Sequence, residues 1–186
     1  MGTIRMVLAT TAVSLALAGI ANAGMLKAGE TFPSWQLTDH TGAVASSNDL
    51  AGKTYLMWFY PKAMTSGCTK EGNGLRDRSE ELGQLHLTIL GVSFDDPATN
   101  AEFVKREGFP FRLLSDQDHS LATKVGAAAF AIQPWASRIS YLVGPDGKVL
   151  KAYDAVDPAT HADEVARDLR TLSVHGAGDG GAAAEH

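Results

Sequence analysis

Two apolar, β-rich runs, 54–60 (TYLMWFY) and 85–94 (LHLTILGVSF), dominate the middle of this 186-residue chain. Runs so continuously apolar are expected as central strands covered on both faces, because a half-exposed strand would alternate with polar residues. The segment 68–82 between them is expected to be a helix. Short apolar runs alternating with helical periods indicate an α/β class with a central mixed sheet flanked by helices.

The flanking sequence extends this plan. Residues 35–38 form an expected early strand, followed by a turn at Asp39-His40-Thr41-Gly42. Asp96-Pro97 opens the next helix with an N-cap and a proline at its first position, and Gly108 closes it. A short strand at 111–114 and a short helix at 116–125 follow. The runs 138–143 and 148–153 about Gly144-Pro145-Asp146-Gly147 form an expected hairpin. Asp157-Pro158 is expected to cap a last helix with Val165, Leu169 and Leu172 on one face. The order of elements resembles the thioredoxin-like plan, which presents a reactive thiol at the first strand–helix junction of its core. Here that junction holds Cys68.

Residues 1–23 are expected to lie outside the fold. Arg5 gives a short basic start, 6–20 is apolar and small, and Ala21-Asn22-Ala23 is a small-x-small cleavage site. This is the pattern of a secretory signal peptide of the kind that sends proteins to a bacterial periplasm, and it is too short to span a bilayer comfortably. The expected domain is 24–173, one domain on ordinary length priors. The Gly/Ala-rich, acidic stretch 174–186 is expected to be a disordered tail. The net charge of -5, with no lysine/arginine cluster, argues against nucleic-acid binding and against a membrane after cleavage.

Cys68 is the one cysteine. An exported chain with a single thiol makes no internal disulfide, so the thiol is either buried and inert or it is the working group. Its setting favours work. A strand delivers it through a Pro/Ser/Gly turn to a helix start, where unpaired backbone N–H groups favour thiolate over thiol. The spacing Pro61-x-x-x-Thr65-x-x-Cys68 is complete. Thr65 stands one turn before Cys68, and its hydroxyl can accept one proton while donating another. Simple capping of the helix is the plainer role for it. Pro61 would cover the site and stiffen the turn. The backbone N–H groups of Gly67 and Cys68 are candidate donors to a bound oxygen. Arg138 opens an expected interior strand, where a large cation is unexpected unless paired, though an ordinary surface arginine at a strand end is the plainer role for it.

The window Phe59-Tyr60-Pro61-Lys62-Ala63-Met64-Thr65-Ser66-Gly67-Cys68-Thr69, with Leu113-Leu114-Ser115-Asp116 and Arg138-Ile139-Ser140, resembles the peroxiredoxins. The resemblance is to the peroxiredoxin Q/bacterioferritin-comigratory subgroup and runs over about residues 28–172. It implies a thiol-dependent peroxidase of antioxidant defence. Cys68 would be the peroxidatic cysteine, with Thr65, Pro61 and Arg138 completing the catalytic set and the Gly67 N–H binding substrate. It implies no cofactor and a monomer. Two positions depart from the pattern. Asn73 stands where many members carry a resolving cysteine, so an external thiol would close the cycle: a thioredoxin-like protein, glutaredoxin or glutathione. Ser66 replaces a usual proline.

Other features are weaker. Gly72, Asn73 and Gly74 are poor helix formers, read either as a packing requirement or as a segment that unwinds after oxidation. His40, His86, His119, His161, His175 and His186 show no metal-ligand spacing. Trp58, Phe59 and Trp135 are expected in the core or the pocket wall. The rival readings are a non-catalytic redox sensor, a metal carrier on the same fold, and a disulfide exchange enzyme, which ordinarily needs a second cysteine.

Overall fold

The computed structural model describes residues 24–130 and 132–176. The expected export segment lies outside them, as does the tail beyond 176. The described residues form one seven-stranded mixed sheet: β1 (Gln36–Asp39), β2 (Val44–Ser46), β3 (Thr54–Phe59), β4 (Leu87–Ser93), β5 (Arg112–Ser115), β6 (Ile139–Val143) and β7 (Val149–Tyr153). Their spatial order is β2-β1-β5-β4-β3-β6-β7. β3, β4 and β5 run parallel, while β6 and β7 on one side and β1 and β2 on the other are antiparallel to their neighbours. Helices α1 (Ser66–Asp77), α2 (Ser79–Gln84), α3 (Pro97–Glu107), α4 (Ser120–Lys124) and α5 (His161–Gly176) flank the sheet. This is the thioredoxin-like α/β architecture expected from the sequence.

β3 lies between β4 and β6 and is buried on both faces, as its unbroken apolar run requires. Side chains alternate across a strand, so Tyr55, Met57 and Phe59 enter one core while Leu56, Trp58 and the following Tyr60 enter the other. The second core is closed by Leu75 of α1, Leu82 of α2, Phe103 of α3, and Val165 and Leu169 of α5. Cys68 belongs to it.

α3 forms as the sequence dictates. The Asp96 side chain accepts from Thr99 N–H at 2.7 Å, Pro97 occupies the first turn, and Gly108 ends the helix in the left-handed region at φ 69°. Elsewhere the boundaries differ. The single helix expected at 68–82 is two, because Arg78 (φ -103°, ψ 6°) breaks it. α4 starts at Ser120 because the Asp116 carboxylate, outside the helix, accepts Leu121 and Ala122 N–H at 3.2 and 2.7 Å. Asp157 caps a turn rather than α5 itself: its side chain accepts from Ala159 N–H and its carbonyl from Thr160 and His161 N–H. Val165 and Leu169 are buried as expected, but Leu172 is exposed. α5 continues to Gly176, so the first three residues assigned to the tail are helical.

Candidate active site

The junction between β3 and α1 is anchored on both sides. Tyr60 N–H donates to Val92 O at 3.0 Å, and its hydroxyl donates to Asn100 Oδ1 of α3 at 2.7 Å. Asn100 Nδ2 in turn donates to Ser115 Oγ of β5 at 3.1 Å. Beyond half-buried Pro61, Ala63 N–H donates to Asp95 Oδ2 at 2.8 Å. Met64 then adopts φ 61°, a conformation non-glycine residues rarely hold without support. The bonds at Tyr60 and Ala63 tie the residues just before Ser66 to β4, α3 and the segment between them.

Thr65 is the N-cap residue of α1, but its side chain makes no capping bond. Its hydroxyl donates instead to Lys62 O at 2.9 Å, which leaves the oxygen's lone pairs as acceptors. The first helical bond runs from Thr69 N–H to Thr65 O at 2.8 Å. The N–H groups of Ser66, Gly67 and Cys68 are therefore those a helix start leaves outside its ladder. Cys68 itself has 0% exposure.

Arg138 reaches this turn through the sheet. Phe59 pairs with Ile139 in the antiparallel β3–β6 register, so the residue before Ile139 lies alongside the end of β3. Leu142 enters the second core, and the period of two places Ser140 and Arg138 on that same face. Arg138 Nη2 stands 3.3 Å from Cys68 Sγ, and Nη1 donates to Glu71 Oε2. A Cβ on Gly67 would lie 3.1 Å from Arg138 Nη2, so a side chain there would crowd the guanidinium. Burial works against the cation, yet the bond to Cys68 and the charge of Glu71 outweigh it and hold the Arg138 pKa above its ordinary value.

Glu71 and His161 complete the buried site and were not singled out from the sequence. Glu71 stands three residues after Cys68, on the same helix face, and that spacing was the available signal. Burial pushes its pKa up to about 7 despite the opposing pull of Arg138. His161 Nε2 lies 2.9 Å from Ser140 Oγ and 3.9 Å from Glu71 Oε1. Burial, then the Arg138 charge, pushes its pKa down to about 4, with Asp168 opposing. No local pattern marks His161, because it reaches the site only through the docking of α5. Trp58 and Phe59 are core residues as expected; Trp135, at 55% exposure, is not in the core.

The AhpC/TSA family pattern matches residues 28–159. The chain belongs to the AhpC/TSA family. Within it, the chain is 37% identical to peroxiredoxin Bcp of Escherichia coli K12 over 150 residues, 78% of this chain and 96% of that one. It is 32% identical to the chloroplastic peroxiredoxin Q of Populus jackii, covering 77% of this chain and 68% of the relative. Among solved structures, peroxidoxin BcpB of Mycobacterium tuberculosis superposes with a TM-score of 0.74 at 29% identity, over 79% of this chain and 98% of that one. Bacterioferritin comigratory protein of Xanthomonas campestris, a structure bearing on its alkyl peroxide reduction activity, gives 0.71 at 29% identity, over 81% and 99%. This AhpC/TSA member is a thiol-dependent peroxidase of the peroxiredoxin Q type, and it carries a single cysteine.

Proposed function

We propose that this peroxiredoxin reduces hydrogen peroxide and small organic hydroperoxides by a one-cysteine cycle at Cys68. The contact that carries the reading is Arg138 Nη2 at 3.3 Å from Cys68 Sγ, between residues 70 apart in sequence. A guanidinium so placed is the counter-charge a thiolate needs, and it is also a donor for a peroxide oxygen. The thiolate attacks one peroxide oxygen and the O–O bond breaks. The departing hydroxide or alkoxide takes up one proton and leaves as water or alcohol, and Cys68 becomes a sulfenic acid. Thr65 Oγ1, its own proton held by Lys62 O, accepts from the peroxide hydroxyl. The Gly67 and Cys68 N–H groups and Arg138 donate to the two oxygens, and Pro61 stiffens the turn that carries them.

With no second cysteine in the chain, an external thiol attacks the sulfenic acid, and a further thiol releases Cys68 from the mixed disulfide. A thioredoxin-like protein, glutaredoxin or glutathione fits that role. The apolar 6–20 run, the basic Arg5 before it and the Ala21-Asn22-Ala23 site after it support export to a periplasm. The activity reported for the Xanthomonas relative supports organic hydroperoxides as substrates.

Trp58 shares the buried cluster of Cys68 and serves as the reporter. Stopped-flow tryptophan fluorescence of reduced protein mixed with hydrogen peroxide is expected to show a fast second-order phase that Cys68→Ser abolishes. A reaction no faster than that of free cysteine would return the chain to the sensor or carrier readings.

A further inference from the structure

The peroxidase cycle leaves the buried acid Glu71 without a task. Its side chain has no exposed surface. Oε2 pairs with Arg138 Nη1, while Oε1 has no hydrogen-bond partner and lies 3.9 Å from His161 Nε2. One guanidinium therefore faces two acids, the Cys68 thiol on Nη2 and the Glu71 carboxyl on Nη1.

Among the described residues, the groups around the site supply no second positive charge. On α5, His161 is buried, kept neutral near pH 7, and engaged with Ser140 of β6. Tyr153 of β7 packs edge-on against the His161 ring, and its hydroxyl donates to Asp168 of α5 at 3.0 Å. Lys151 of β7 is spent on the same Asp168 at 2.6 Å. Two anions sharing a single desolvated cation would leave one negative charge uncompensated, a costly state.

We propose that Glu71 is the site's redox-linked proton store, protonated while Cys68 is a thiolate and ionised once Cys68 is a sulfenic acid. The assignment rests on the peroxidase reading of Cys68. A sulfur lone pair of the thiolate forms the S–O bond, and the O–O bonding pair leaves with the other oxygen. Sulfur is oxidised by two electrons and the peroxide is reduced. The departing hydroxide or alkoxide gains one proton as water or alcohol, and Glu71 loses one. Arg138 keeps one anionic partner throughout: the thiolate before the step, the Glu71 carboxylate after it. The site then takes no net proton from solvent. The carboxyl's pKa, raised by burial, agrees with a proton held near neutral pH. Once the thiolate is gone, the Arg138 fork, held by Nη1 to Glu71, has the Glu71 carboxylate as its one anionic partner.

The test is proton stoichiometry during oxidation of reduced protein by one equivalent of hydrogen peroxide, read with an indicator dye in weak buffer near pH 6. Oxidised thiol is counted by mass in parallel. Wild type is expected to take up close to no protons per Cys68 oxidised, and Glu71→Gln close to one. Equal stoichiometry in the two proteins would overturn the assignment alone. Absence of oxidation at Cys68 would overturn the peroxidase reading and the assignment with it. Should Glu71→Gln fail to fold, the oxidised-minus-reduced infrared spectrum of wild type decides. Loss of a protonated carboxyl C=O stretch with gain of a carboxylate band is expected, and no carboxyl change would overturn the assignment. A carboxyl that merely held Arg138 in place would move neither readout.

Discussion

At the scale of single residues, the site depends on atoms that hold two partners at once. Arg138 bridges Cys68 Sγ and Glu71 through different nitrogens of one planar group. Arg138→Lys keeps the charge but loses the fork, so it cannot serve both partners. A hydrogen bond to a charged group is worth about 1.5–3 kcal/mol, which corresponds to a fall of about tenfold to a hundredfold in the second-order rate with peroxide. Stopped-flow comparison with wild type checks this, and a rate within about twofold would refute it. Thr65 separates chemistry from capping. Because its side chain makes no cap bond, Thr65→Val is expected to slow peroxide reduction by at least about tenfold. The same change should cost no more than about 1 kcal/mol in urea unfolding, the worth of one exposed hydrogen bond. The motif around Cys68 was legible in sequence because its parts are local, whereas Arg138 stood out only as a cation at a strand end until the family resemblance gave it a role. His161 was not legible, because only the packing of α5 against β6 and α1 brings it in.

At the scale of elements, α1 reads as a poor helix, and the structure gives the reason. A Cβ on Gly72 would fall 2.5 Å from Phe109 Cζ, so that glycine lets the ring pack flush against the helix. Gly72→Ala gains about 1 kcal/mol in helix propensity but forces a ring and backbone shift costing about 1–3 kcal/mol, so net destabilisation is expected. Gly74 is the internal control. Its Cβ would meet Ala162 Cβ at 3.5 Å, an ordinary contact, so Gly74→Ala is expected to stabilise by up to about 1 kcal/mol. Urea melts of the two variants moving in the same direction would contradict this account. Asn73 is likewise structural here: it bonds Glu107 of α3 and accepts from Arg76, which also donates to Glu107 O. Composition alone could not separate packing glycines from hinge glycines, since the deciding neighbour, Phe109, is remote in sequence. The unwinding hypothesis still has a basis, because Cys68 has no exposed surface through which a protein thiol could attack. Amide exchange across 70–76 is expected to quicken in oxidised protein, and equal exchange in both states would end that hypothesis.

At the scale of the whole molecule, the site joins sheet to helices, so its protonation is tied to global stability. The central strands and their helices were legible from apolar runs and caps. The strand order was not, because pairing of β1 with β5 and of β3 with β6 depends on contacts distant in sequence. That pairing, with the docking of α5, buries His161 against Arg138 and Glu71. A histidine whose folded pKa is depressed contributes stability that is present above its unfolded value and is lost as pH falls through the folded one. For His161 the window runs from 6.5 down to about 4, because the fold must bury a charged imidazole below it or open. The full span is worth about 3 kcal/mol. Glu71 has the opposite sign. Its folded pKa is raised from 4.5 to about 7, so its contribution is present below 4.5 and lost as pH rises through 7. The two windows overlap between pH 4.5 and 6.5 with opposite slopes, so these two groups offset one another and chemical denaturation of reduced protein is expected to show a nearly flat profile there. His161→Gln should expose the Glu71 slope, a loss of up to about 3 kcal/mol as pH rises from 4.5 to 7, and Glu71→Gln should expose the His161 slope, a similar loss as pH falls from 6.5 to 4. A His161→Gln profile as flat as that of wild type would mean that no histidine titration behind Arg138 offsets the Glu71 slope.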